Sequence, residues 1–328
     1  MNQIPTLHDA YCAHDRIKHI IKNTPLLMDS DLAKITGAKS IHYKLECLQE
    51  TGAFKIRGAA NKILSLNSQE KQKGVITFST GNHGKAVAYV AAHQGVKAVV
   101  CLSEHVPSYR AKIIENLGAE VSIKGKSQDE AEKNYYQIMA SKGMIPVVPF
   151  DDPLIIAGQG TIALEILEKL PSTDVLMVQL SGGGLMAGIA MVAKAINPDI
   201  QIIGLSIKES PALLESVKAG VPVEVEEKDT IANSLLGGIG VDNQFTLQMV
   251  KKLVDKHLVI SEDEIKDGIR YLFEKHRLIV EGAGVIGVSA ILGNHIDVKG
   301  KNVVTVLTGS SINSDEYISI IQNKLEKS

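Results

Sequence analysis

The stretch Val175-Leu176-Met177-Val178-Gln179-Leu180-Ser181-Gly182-Gly183-Gly184-Leu185-Met186-Ala187-Gly188 runs from an apolar strand through a glycine turn into the start of a helix. Three glycines at such a turn let backbone N–H groups approach an anion, and the helix N-terminus adds a favourable dipole. The stretch is a phosphate cradle, or else a tight turn with no ligand. Its spacing, Gly182-x-Gly184-x-x-x-Gly188, is not GxGxxG. Ser206 stands where a ribose-binding acid would end the next strand, so a dinucleotide fits poorly. No GxxxxGK motif followed by Ser or Thr occurs, so P-loop chemistry is unsupported.

Outward from this unit the same alternation continues. Strands are expected at Ile41–Leu45, Gly74–Phe78, Lys97–Leu102, Glu120–Ile123, Met144–Val148, Asp174–Leu180, Gln201–Leu205, His257–Ile260 and Asn302–Leu307. Many are continuous apolar runs, suited to burial on both faces. Helices are expected at Gly84–His93, Ala157–Leu170, Met186–Ile196, Ile265–Lys275 and Ala283–Leu292. Ser127…Glu130 and Ser261…Glu264 have capping-box spacing and mark helix starts. The acidic run Glu224–Asp229 reads as a solvated loop. The pattern predicts an α/β architecture with mostly parallel sheets.

Composition narrows the function. A chain of 328 residues, 45% of them hydrophobic, is ample for about two domains. With 35 Lys+Arg against 37 Asp+Glu there is no electrostatic footprint for nucleic acid. No apolar run reaches the roughly 18 residues of a membrane span. The best candidate, Ala86–Leu102, is broken by His93, Gln94 and Lys97. The start, Met1-Asn2-Gln3-Ile4-Pro5, is not a basic-then-apolar leader. Cys12, Cys47 and Cys101 form no CxxC pair, so neither a disulfide framework nor a metal site is expected, in a reduced, cytoplasmic protein.

Four more motifs carry chemistry. Ser79-Thr80-Gly81-Asn82-His83-Gly84 lies between a strand and a helix and offers donors to an anion such as a carboxylate, or is an ordinary helix cap. Lys55, in Thr51-Gly52-Ala53-Phe54-Lys55-Ile56-Arg57-Gly58-Ala59, sits among apolar residues after a glycine turn. Loss of solvation would lower its pKa and make its amine a nucleophile; the ordinary alternative is a solvated surface lysine. Val280-Glu281-Gly282-Ala283-Gly284 places an acid in a small-residue turn, and Leu307-Thr308-Gly309-Ser310-Ser311 places hydroxyls at the end of the last strand. Strand ends are where α/β proteins bind ligands. A phosphate cradle, an amine nucleophile, an anion loop and a strand-end hydroxyl are together what pyridoxal 5'-phosphate chemistry requires.

Lys44-Leu45-Glu46-x-x-Gln49-x-Thr51-Gly52-Ala53-Phe54-Lys55-x-Arg57-Gly58-Ala59 resembles the cofactor-attachment signature of the fold-type II pyridoxal-phosphate enzymes, specifically the serine/threonine dehydratase group. The resemblance continues in order through Ser79–Gly84, Ala157-Gly158-Gln159-Gly160-Thr161, Ser181–Gly188, Glu281–Gly284 and Leu307–Gly309. It implies a two-domain α/β fold, like that of tryptophan synthase β, with the cofactor in the cleft. Residues 1–74 and 149–328 would form the large domain and 75–148 a small inserted one. Lys55 would carry the cofactor and later take the α-proton, with Phe54 beside the ring and Asn82 bonded to the ring's 3-oxygen. Ser181, Gly182, Gly183, Gly184 and Leu185 would hold the phosphate, Thr308 would face the pyridine nitrogen, and Glu281 would lie near the ring. Ser79, Thr80, Asn82 and His83 would receive the substrate carboxylate, with Ser234 near its side chain. The implied activity is elimination of ammonia from a small β-hydroxy amino acid, L-threonine or L-serine by default, in a homo-oligomer (dimer or tetramer). Serine racemisation, or a lyase for 3-hydroxyaspartate or a diamino acid, is the second reading, and a non-catalytic homologue the third. The chain stops about 20 residues after Thr308, as in short forms without a regulatory domain.

Departures from the family pattern bear on the substrate. Ala53 stands where Ser is usual and Ser181 where Gly is usual; both are small, so cofactor binding should survive. Thr80 replaces the serine that acts as second acid/base in eukaryotic-type serine racemases, which weighs against racemisation. Ser206-Ile207-Lys208-Glu209-Ser210-Pro211-Ala212 has Glu209 as its one acid, so the racemase-type divalent-metal site is not expected. Ala232-Asn233-Ser234-Leu235-Leu236-Gly237-Gly238 replaces the usual Ala-Asp-Gly segment, a variant resembling the threonine-dehydratase-like proteins of hydroxyectoine utilisation.

Overall fold

The computed structural model describes residues 3–79, 81–125 and 128–322. Its strands are β1 (Leu26–Met28), β2 (Ser40–Lys44), β3 (Val75–Phe78), β4 (Ala98–Leu102), β5 (Glu120–Ile123), β6 (Ile145–Pro146), β7 (Val175–Gln179), β8 (Gln201–Ile207), β9 (Lys256–Ile260) and β10 (Asn302–Val306). The helices up to the glycine turn are α1 (Leu7–Ile17), α2 (Ser30–Thr36), α3 (Lys55–Leu64), α4 (Ser68–Lys73), α5 (Asn82–His93), α6 (Ser108–Asn116), α7 (Gln128–Lys142) and α8 (Pro153–Lys169). After it come α9 (Gly184–Ile196), α10 (Ala212–Ala219), α11 (Thr246–Leu253), α12 (Glu262–His276), α13 (Gly282–Leu292) and α14 (Ser314–Gln322).

Two sheets result. The larger has the order β1-β2-β10-β7-β8-β9 and is parallel except at its β1 edge. The smaller, β5-β4-β3-β6, is all parallel. The apolar run of β7 is explained by burial on both faces. Val175 and Met177 enter a core shared with α12 and α13, while Leu176 and Val178 enter one shared with α8 and α9. The smaller sheet packs Val75, Ala98 and Val100 against Ala86, Val87 and Val90 of α5. Ile56, Ala59 and Ile63 of α3 complete that core. Helix α3 thus follows a strand of the larger sheet but packs on the smaller one, and its first residue, Lys55, sits at the junction.

Each expected strand and helix core is present, with shifted ends. The strand expected at Met144–Val148 shrinks to Ile145–Pro146, an edge strand whose Pro146 needs no N–H toward β3, since Ile145 and Val147 N–H donate to the Gly74 and Ile76 carbonyls at 2.9 Å. Helix α5 begins at Asn82, two residues earlier than expected. β1 was not anticipated; three residues carry no period to read. The Ser261–Glu264 capping box forms, with Ser261 N–H donating to Glu264 Oε2 at 2.9 Å. Ser127 of the other box lies outside the described residues. No helix among the described residues is long and apolar enough to cross a membrane.

Candidate active site

Strand order brings the motifs together. β2, β10 and β7 are neighbours and parallel, so Thr51–Lys55, Thr308 and Ser181–Leu185 all follow their C-terminal ends. Gly52, at φ +74°, turns the chain back across the end of β10. Ala53 there pairs with Gly309 in an antiparallel bridge, and Phe54 N–H donates to the Thr308 carbonyl at 3.0 Å. A Cβ on Gly309 would lie 2.5 Å from Glu281 Oε1 and 3.2 Å from Ala53 Cβ, so small residues are needed where these three segments meet.

Lys55 Nζ donates to the Pro149 carbonyl at 2.8 Å and lies 5.2 Å from the centre of the Phe54 ring. Burial pulls its pKa down to about 8, against the pull of Glu281. His83 is 3% exposed, and its Nε2 lies 2.8 Å from the Val147 carbonyl. A carbonyl only accepts, so Nε2 carries the proton and Nδ1, which has no partner, is a bare acceptor. Burial, then the charge of Lys55, push this imidazole down to about 3, so it is neutral. Its ring offers no donor to a carboxylate. The donors here are the backbone N–H groups of Asn82, His83 and Gly84, which head α5 without intrahelical acceptors. Gly81 is the cap residue, and its N–H donates to Ser79 Oγ at 3.4 Å. Thr80 lies outside the described residues.

The glycine turn is clamped on both sides. A Cβ on Gly182 would come 2.2 Å from the Phe150 ring, and one on Gly184 would come 2.9 Å from Phe150 backbone. Gly183 has φ +88°, and a Cβ there would strike Leu213 and Thr246. Asp151 holds this clamp by accepting N–H bonds from Gln244, Phe245 and Thr246 at 2.6, 3.0 and 2.8 Å. The turn therefore needs glycine for packing, and it still presents the free amides heading α9 beside the half-buried Ser181.

Across the cleft, Asn82 Nδ2 donates to Glu281 Oε1 at 2.9 Å, and Ser311 Oγ donates to Asn82 Oδ1 at 2.5 Å. Lys85 Nζ donates to Ser311 Oγ. Burial raises the Glu281 pKa, against Lys85 and the Asn82 bond. Glu281 Oε2 has no hydrogen bond of ordinary geometry, although the exposed Ser234 hydroxyl is close enough to favour the carboxylate form. Lys85 and Ser311 were not among the expected site residues. The available signal was spacing, since Lys85 stands one helical turn after Asn82.

Behind Lys55, Arg57 is fully buried between two carboxylates. It donates from Nε to Glu46 Oε2 at 2.8 Å and from Nη1 to Glu165 Oε1 at 2.7 Å. Lys44, also fully buried, pairs with Glu165. This network joins β2, α3 and α8 and fixes the turn of helix that carries Lys55.

A family model described as pyridoxal-phosphate dependent enzyme matches residues 17–309. The chain belongs to that family. Among relatives of this pyridoxal-phosphate enzyme, the L-threonine ammonia-lyase of Thermotoga maritima is 39% identical over 323 residues, 98% of this chain and 80% of the relative. The structure of maize serine racemase superposes with a TM-score of 0.91 at 29% identity, covering 99% of both chains. That of the T.th. threonine deaminase gives 0.87 at 32%, covering 94% of this chain and 99% of the other. The fold is thus the fold-type II arrangement expected. The residues fit the cofactor: a desolvated amine, free amides at a glycine turn, a buried strand-end hydroxyl at Thr308, and unpartnered polar atoms on His83 and Glu281 converge here.

Proposed function

We propose that the enzyme is an ammonia-lyase converting L-threonine, or its shorter homologue L-serine, into a 2-oxo acid and ammonia. The observation that carries this is 39% identity along 98% of the chain to a protein named L-threonine ammonia-lyase. Pyridoxal phosphate supplies a carbonyl for the substrate's amine and a sink for the electron pair released at Cα. Lys55 holds it at rest and then, as a neutral amine, takes the Cα proton; a pKa of about 8 suits that task near neutral pH. Ser181 to Leu185 hold the phosphate against the N-terminus of α9. Phe54 would pack beside the ring, and Thr308 would meet its nitrogen. As a neutral hydroxyl, Thr308 does not fix a proton on that nitrogen, which favours prompt loss of the β-hydroxyl. Ser79 and the first amides of α5 orient the substrate carboxylate. His83 stays neutral and adds no charge. Ser234, beside Glu281, lines the side-chain end.

The same reading makes residues 75–148 the smaller domain of a cytoplasmic homo-oligomer. Support for a reduced compartment comes from Cys12, Cys47 and Cys101, which are all unpaired. The test is a substrate panel assayed for 2-oxo acid, ammonia and amino-acid chirality. L-Threonine or L-serine should yield oxo acid and ammonia in equal amounts. Oxo acid from an acidic or diamino substrate alone, or D-serine without pyruvate, would overturn the reading.

A further inference from the structure

Lys85, Ser311, Asn82 and Glu281 form one hydrogen-bonded row across the cleft, and its direction can be deduced. An ammonium has no acceptor, so Lys85 Nζ donates to Ser311 Oγ. The Ser311 hydrogen is then free for Asn82 Oδ1, 2.5 Å away. With Oδ1 so engaged, Asn82 Nδ2 must face Glu281 Oε1, at 2.9 Å. The flipped amide would set its oxygen against the Glu281 carboxylate oxygen and leave the Ser311 hydrogen without Asn82 Oδ1, so the unflipped orientation is the favoured one. The row has a cation at its donor end and a carboxylate at its acceptor end. Lys85 also acts on Glu281 directly, favouring its charged form.

We infer that Lys85 and Ser311 are positioning residues that lock the Asn82 amide with its NH2 toward the cofactor pocket. This rests on the proposed role of Asn82 toward the ring's 3-oxygen. One Nδ2 hydrogen goes to Glu281, and the orientation imposed by Ser311 keeps the other available to that oxygen. Asn82 touches the cofactor; Lys85 and Ser311 act through it.

The test is cofactor affinity, measured by absorbance titration of the apoprotein with pyridoxal phosphate. Lys85→Met and Ser311→Ala should each raise the dissociation constant roughly tenfold, the scale of one good hydrogen bond. The double variant should be no worse than either single one, because each breaks the same row. In an Asn82→Ala background both effects should vanish. Ser311→Thr, which keeps the hydroxyl, should restore wild-type affinity and shows that any loss is not misfolding. Losses that add in the double variant, or that persist without Asn82, would overturn the inference. Wild-type protein that fails to bind pyridoxal phosphate would instead overturn the reading of the site itself.

Discussion

Lys55→Ala is expected to lower turnover at least about 10³-fold and to abolish the visible absorbance of the cofactor-loaded protein. On the proposed reading, two functions leave with one side chain: covalent retention of the cofactor and proton removal at Cα. Neither His83 nor Glu281 replaces the second. His83, pushed down to about 3, is too weak a base, and Glu281 is tied to Asn82. The pH dependence of the wild type follows from the same group. Its amine is neutral above about 8, so capture of added pyridoxal phosphate by apoprotein should quicken as pH rises toward that value and then level off. Stopped-flow absorbance measures this, and Lys55→Ala should show no such phase.

Arg57→Met is expected to have the largest effect on stability, about 3–5 kcal/mol. Glu46 and Glu165, 0% and 1% exposed at their side chains, would keep Lys44 as the one cation bonded within the network. An exposed pair such as Lys218–Glu215 should matter far less, since surface pairs contribute about 0–1 kcal/mol. The acid limb of stability tests the cause. Burial alone would raise the Glu46 pKa, but the charge and bonds of Arg57 bring it below the ordinary value. A lowered folded-state pKa contributes stability above the unfolded value and loses it as pH falls through the folded one. Without Arg57 the main opposition to burial is lost, with Lys44 and Thr24 left to hold the carboxylate form, so the variant's stability should fall less on acidification. Thermal melts from pH 3 to 7 would show it.

What was legible in the sequence was local. Ser181–Gly188 could be read because strand, turn and helix are contiguous, and Lys55 because its apolar neighbours predict the desolvation the structure shows. The strands expected at Gln201–Leu205 and Asn302–Leu307 were legible because burial on both faces leaves mostly apolar, β-branched runs. What the residues alone did not reveal is long-range pairing. Lys85 meets Ser311 across 226 positions, and Arg57 meets Glu165 across 108. Lys44 and Arg57 look like surface charges until their carboxylates are placed. His83 was expected among the residues that receive a carboxylate; its backbone N–H remains at the head of α5, while the bond of its ring to Val147, whose position depends on the neighbouring strand, could not be read locally. Helices α2 and α4 went unanticipated because seven and six residues carry little period; α1 and α3, though longer, were also missed.

The chemistry stands on one amine, and one measurement addresses it. The cofactor-loaded protein is reduced with borohydride, which makes the lysine–cofactor linkage permanent, then digested and mapped by mass spectrometry. The predicted result is a single pyridoxyl-modified peptide with the modification on Lys55. Modification on Lys85, the other partly buried amine of the cleft, or no modified peptide at all, would contradict it.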